Sequence, residues 1–172
     1  YKNQSVVVES VARLRDRGHE LKLTLVGGGN HHGLRLLEST LGRINGDTLF
    51  LKRLDFISHD ALPELIAQSD IYIFASSCEN MPVTLIEGMA MGLPIACSDR
   101  GPMPEVLLDG GVYFDPEKVD SVVNALEMLI LSPSLRDAVS NRAKELAEQY
   151  TWQRCADETF AFIANMQNGP KQ

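Results

Sequence analysis

Between residues 3 and 114 short apolar runs alternate with longer stretches of helical period, and that rhythm restricts the chain to few folds. Over 3–17, Val7, Val8, Val11 and Leu14 recur at helical spacing and Gly18 stands as a C-terminal stop. A strand is expected over 21–26, running into Gly27, Gly28 and Gly29 ahead of a helix over 31–44. Further strands are expected over 48–51, 71–74, 93–97 and 112–114, with short helices over 60–67 and 104–108. Strands joined through helices run parallel, and a parallel sheet is covered by helices on both faces. The predicted fold class is therefore α/β. Ligands of such sheets sit at the carboxyl ends of the strands, where residues 27–29, 76–84 and 98–104 would gather.

The stretch SSCENMPVTLIEGMAMGLP, residues 76–94, carries the densest chemistry at that edge. An apolar strand feeds it, Pro82 stands where a first helical turn tolerates proline, and Gly92 with Pro94 ends the helix. Glu79 and Glu87 lie on either side of the helix start, where first-turn N–H groups lack partners and carry partial positive charge. Val83 and Thr84 are the candidate N–H donors to an anion; Pro82 shapes the turn without donating. On residue type alone both glutamates read as solvated surface carboxylates. The glycines at 27–29 would let backbone approach a ligand, with Gly28 the candidate contact, although a tight turn explains them equally and the full dinucleotide fingerprint is absent.

Composition narrows the function classes. The chain has 172 residues, 44% hydrophobic and 23% charged, enough for one packed domain, expected over 1–166 with a polar tail at 167–172. A formal charge of -7 with no basic stripe argues against a nucleic-acid partner. Cys78, Cys97 and Cys155 are widely spaced, which suggests neither a disulfide framework nor a metal site and favours a reducing, cytoplasmic compartment. No apolar run is long enough to cross a bilayer, and no signal peptide is expected to lead the chain. Because the sequence opens on Tyr1, it is expected to be cut from a longer protein. After residue 115 it reads as helical: one amphipathic helix over 119–130, a second after Pro133 reaching Leu146, and a third from Trp152 through Phe160 and Ile163. Trp152 is expected to pack into the core. His31, His32 and His59 read as surface or loop residues, since no acidic partner lies near them in sequence.

Glu79-x7-Glu87 within CENMPVTLIEGMAMGLPI, then Ser98-Asp99-Arg100-Gly101 and Pro104-Glu105-Val106, resembles the donor-binding half of retaining glycosyltransferases with the two-domain GT-B architecture, itself a Rossmann-like domain. Lys2-Asn3 at the start of the first helix and Thr151-Trp152 before the last are similar to family features, so the resemblance covers nearly the whole chain. It implies a UDP- or GDP-sugar as donor. By that resemblance Lys2 meets the diphosphate, Glu79 is the catalytic carboxylate at the donor sugar, and Glu87 holds the ribose hydroxyls. Asn80 and Met81, where many relatives carry glycine and phenylalanine, would line and narrow the sugar pocket. It further implies no cofactor and no metal, because a lysine and a helix N-terminus replace the cation. Also implied are a first strand and an arginine upstream of Tyr1, a separate acceptor-binding domain, peripheral membrane contact through that domain, and work on surface polysaccharide. A sugar-nucleotide epimerase of the same architecture, or a non-catalytic subunit completing a site with a partner chain, is the alternative.

Overall fold

The computed structural model describes residues 1–29, 31–44 and 48–167. In chain order the elements are α1 (Gln4–Asp16), β1 (Leu23–Val26), α2 (His31–Arg43), β2 (Leu51–Leu54), α3 (Leu62–Ala67), β3 (Tyr72–Phe74), α4 (Val83–Ala90), β4 (Ile95–Ser98), α5 (Met103–Leu107), β5 (Gly111–Phe114), α6 (Val119–Leu131), α7 (Pro133–Ala147) and α8 (Trp152–Gln167). A single 3-10 turn, His59–Ala61, precedes α3. All strand pairings are parallel, as the alternation predicts, but they form two ladders, β1-β2 and β3-β4-β5. Leu23 stands opposite Leu51 in the first, and Ile95 opposite both Tyr72 and Gly111 in the second.

β4 shows why helices cover both faces. All four of its residues are buried, and successive side chains of a strand point to opposite sides. Ala96 enters a core with Val8 and Leu14 of α1, Leu37 of α2, and Val122 and Leu129 of α6. Ile95 and Cys97 enter a second core with Leu85 and Met89 of α4, Met103 and Leu107 of α5, and Ala143 of α7. Local chemistry sets the element ends. Ser132 Oγ accepts from the Leu135 N–H at 3.2 Å and Pro133 opens α7, a combination suited to a first helical turn. Gly27 closes β1 at a φ of 99°, which glycine adopts without strain, and its N–H reaches the Leu54 carbonyl at 2.8 Å.

Two expectations are corrected. The second strand lies at Leu51–Leu54 and not at 48–51, since Thr48 to Phe50 form its approach, with Leu49 88% exposed and Phe50 buried in the core. The strand interior, Lys52 and Arg53, is exposed and so left no apolar signature. Trp152 does not pack into the core: it is 83% exposed, and Phe160, Phe162 and Met166 of α8 are exposed with it. Helical period fixes that α8 is one-sided but not which body its apolar face meets. α8 extends to Gln167, while the remainder of the expected tail, residues 168–172, lies outside the described residues. Among the described residues no helix is long and apolar enough to cross a membrane.

Candidate functional site

The loop from Ala75 to Pro82 leaves the carboxyl end of β3 and enters α4. Tyr72 of β3 locks α4 in place. Its hydroxyl donates to the Thr84 carbonyl at 2.9 Å, and its ring lies so close under Gly88 that a Cβ there would stand 2.8 Å from Cδ1. Burial pushes the Tyr72 phenol up to about 12, opposed by the Thr84 side chain and helped by the Glu87 charge. Glu87 is the residue before Gly88 in that helix, close enough for its charge to act on the Tyr72 phenol.

The two glutamates have different surroundings. The Glu79 side chain is 16% exposed and accepts from Lys2 Nζ at 2.5 Å. Burial favours its protonated form, but hydrogen bonds from Lys2 and Ser76 and the Lys2 charge outweigh it, and the carboxyl is held below the ordinary range. The Lys2 ammonium also lies 5.0 Å from the Tyr1 ring centroid and 5.8 Å from that of Phe74. Glu87 has no such partner. Its Oε1 is 3.9 Å from His59 Nδ1, and its Oε2 is buried without a hydrogen-bond partner among the described residues. An unsatisfied buried acceptor costs about 1–3 kcal/mol, which a hydroxyl donor would relieve.

At the start of α4 the structure separates the two expected donors. The Val83 N–H is engaged by the Met81 carbonyl at 2.9 Å, and Leu85 and Ile86 N–H groups by that of Pro82. The Thr84 N–H meets no acceptor among the described residues, so it is the one open to an anion. Asn80 and Met81 are exposed beside it. Gly28 is exposed at the end of β1, where a Cβ would meet only the Asp55 carbonyl at 3.9 Å, so neither crowding nor φ requires glycine at that position. Of the loop over 98–104, Arg100 is paired with Asp99 at 3.3 Å and Asp115 at 3.0 Å, and Lys118 joins Asp115 at 2.9 Å. His59 is 84% exposed, as a loop residue should be, yet the fold supplies the acidic neighbour that its sequence surroundings lack. Among the described residues no group of three or more His, Cys, Asp or Glu could hold a metal ion.

The loop after β3 and the start of α4 thus hold the Lys2–Glu79 pair and a Thr84 N–H with no acceptor among the described residues, and further along α4 Glu87 has one oxygen near His59 and one without a partner among the described residues. Chemically, such groups can donate to an anion and accept from hydroxyls. Known proteins resemble the chain. It is 27% identical over 110 residues to the O-antigen chain mannosyltransferase B of Escherichia coli, covering 64% of this chain and 29% of that protein. It is 28% identical over 164 residues to a GDP-mannose-dependent alpha-(1-6)-phosphatidylinositol monomannoside mannosyltransferase of Mycolicibacterium smegmatis, covering 88% and 41%. The structure superposes on that of HepE of Anabaena in complex with UDP with a TM-score of 0.82 at 19% identity, covering 96% of this chain and 46% of that one. The chain therefore spans less than half the length of each of these proteins, and the shared fold is one half of a GT-B glycosyltransferase. The profile of the glycosyl transferases group 1 family matches residues 1–146, and the chain belongs to that family.

Proposed function

We propose that the chain is the donor-binding domain of a retaining glycosyltransferase that moves a sugar from a UDP- or GDP-sugar to an acceptor bound elsewhere in the parent protein. The observation that carries this reading is Glu87 Oε2, buried with no hydrogen-bond partner among the described residues, in the helix entered from the loop that holds the Lys2–Glu79 pair, whose Thr84 N–H has no acceptor among the described residues. Vicinal ribose hydroxyls supply the donors that Glu87 lacks. The diphosphate takes Lys2 and the Thr84 N–H, which stabilise the charge that grows on phosphate oxygens as the glycosidic bond breaks. Glu79, released from Lys2, accepts from sugar hydroxyls and favours positive charge near the anomeric carbon. Lysine and helix N-terminus do the work of a metal ion, so none is needed. Asn80 and Met81 border the sugar. That one related structure holds UDP and that a relative is named GDP-mannose-dependent supports a nucleoside diphosphate without choosing the base.

The parent protein adds an acceptor-binding domain and works in the cytoplasm, touching the membrane peripherally through that domain. Surface polysaccharide is the acceptor class, a reading supported by the relative named for O-antigen chains. A strand from elsewhere in the parent bridges the two ladders, which the described residues leave unconnected. Glu79→Ala in the full-length protein tests the catalytic assignment. Sugar transfer should fall about a hundredfold while UDP or GDP affinity stays within about threefold. Wild-type transfer rates, or lost nucleotide affinity, would overturn it.

A further inference from the structure

We infer that Asn3 is a positioning residue of the donor site, fastening the segment that carries Lys2 to the loop that carries Glu79. Asn3 is the residue before α1 and has left-handed backbone, φ 50° and ψ 30°, a conformation that asparagine tolerates better than most residues. An asparagine there ordinarily turns its side chain to cap the helix. Asn3 makes no such bond. Its Nδ2 donates instead to the Ala75 carbonyl at 2.8 Å and Ser77 Oγ at 2.9 Å, with the Tyr1 carbonyl at 3.2 Å. A carbonyl can only accept, so the contact with Ala75 fixes which end of the amide faces the loop.

Ser77 closes the ring. Its N–H and its hydroxyl both donate to the Tyr1 carbonyl, at 2.8 Å and 3.1 Å. Tyr1 and Asn3 are thus both tied to the loop after β3, and Lys2 lies between them. A free lysine side chain carries about 2 kcal/mol of rotamer entropy; fixing the backbone on both sides sets where the Lys2 side chain starts, and the Glu79 carboxylate holds its ammonium. That position is against Glu79, two residues beyond Ser77. Asn3 touches neither the candidate anion donors nor Glu87 and acts only through Lys2. The consequence for the diphosphate rests on the role proposed above for Lys2; the consequence for the Lys2–Glu79 pair does not.

The test uses Asn3→Gly, which keeps left-handed backbone accessible and removes the amide, and Asn3→Asp, which keeps the size but sets an acceptor against the Ala75 carbonyl. Ser77→Ala is a third variant should either fail to fold. The first readout is the Glu79 carboxyl titration by carbon-13 NMR in the free protein. The wild-type carboxyl should titrate below the ordinary range, and the variants' should move up toward the ordinary value of about 4.3. The second is affinity for UDP and GDP beside uridine and guanosine. The variants should lose about tenfold for the diphosphate that binds and less than about twofold for its nucleoside. Unchanged Glu79 titration, or equal losses for diphosphate and nucleoside, would overturn the inference. If the wild type binds neither diphosphate, the donor reading fails and the Glu79 titration alone decides the role of Asn3.

Discussion

Glu79 and Glu87 are chemically identical, and the fold gives them different surroundings. The Glu79 carboxylate is already satisfied by Lys2, and the pair has a measurable pH signature. A carboxyl held below its ordinary range stabilises the fold at pH values above its unfolded pKa, near 4.3, and that contribution is lost as pH falls through the lower folded value. Lys2→Met should therefore destabilise by about 1 kcal/mol at pH 7, with the difference from wild type shrinking below about pH 4. Urea unfolding across that range measures it, and a difference independent of pH would contradict the pairing. Glu79, Glu87 and Lys2 were legible in the sequence through motif order. Asn3, Ser77, Tyr72 and His59 were not, because each acts across a gap that only the folded chain closes.

Glu87 is placed by packing of one helix on one strand. Gly88 lies over the Tyr72 ring, whose hydroxyl is bonded to Thr84 of the same helix, so the ring has little room to move. Gly88→Ala sets two effects against each other. Helix propensity gains up to about 1 kcal/mol, whereas forcing a methyl group into a filled contact typically costs about 1–3 kcal/mol. The contact should win, with a net loss of about 1–2 kcal/mol in denaturant unfolding and weaker nucleotide binding as Glu87 lifts away. A stabilised Gly88→Ala protein would show that α4 does not rest on Tyr72 as described. At this scale β4 was readable because both its faces are apolar, while β2 was misplaced because its interior is Lys52 and Arg53. The same limit applies to α8, whose period was correct and whose partner surface was invisible to it.

At the scale of the molecule, alternation of short strands and helices was sufficient to indicate a parallel α/β fold. It could not indicate that the strands divide into two ladders, since pairing partners depend on which strands lie side by side and not on their order. The candidate site lies on the loop after β3 and on α4, which packs on the second of the two cores that β4 separates. On the proposed reading the domain grips a nucleoside diphosphate chiefly through Glu87, with Glu79 reserved for the sugar. Isothermal titration of the wild type, Glu87→Ala and Glu79→Ala with UDP and GDP tests it most directly. One diphosphate should bind, with affinity reduced at least about tenfold by Glu87→Ala and by no more than about threefold by Glu79→Ala. Equal losses in the two variants, or no binding of either diphosphate by the folded wild type, would contradict it.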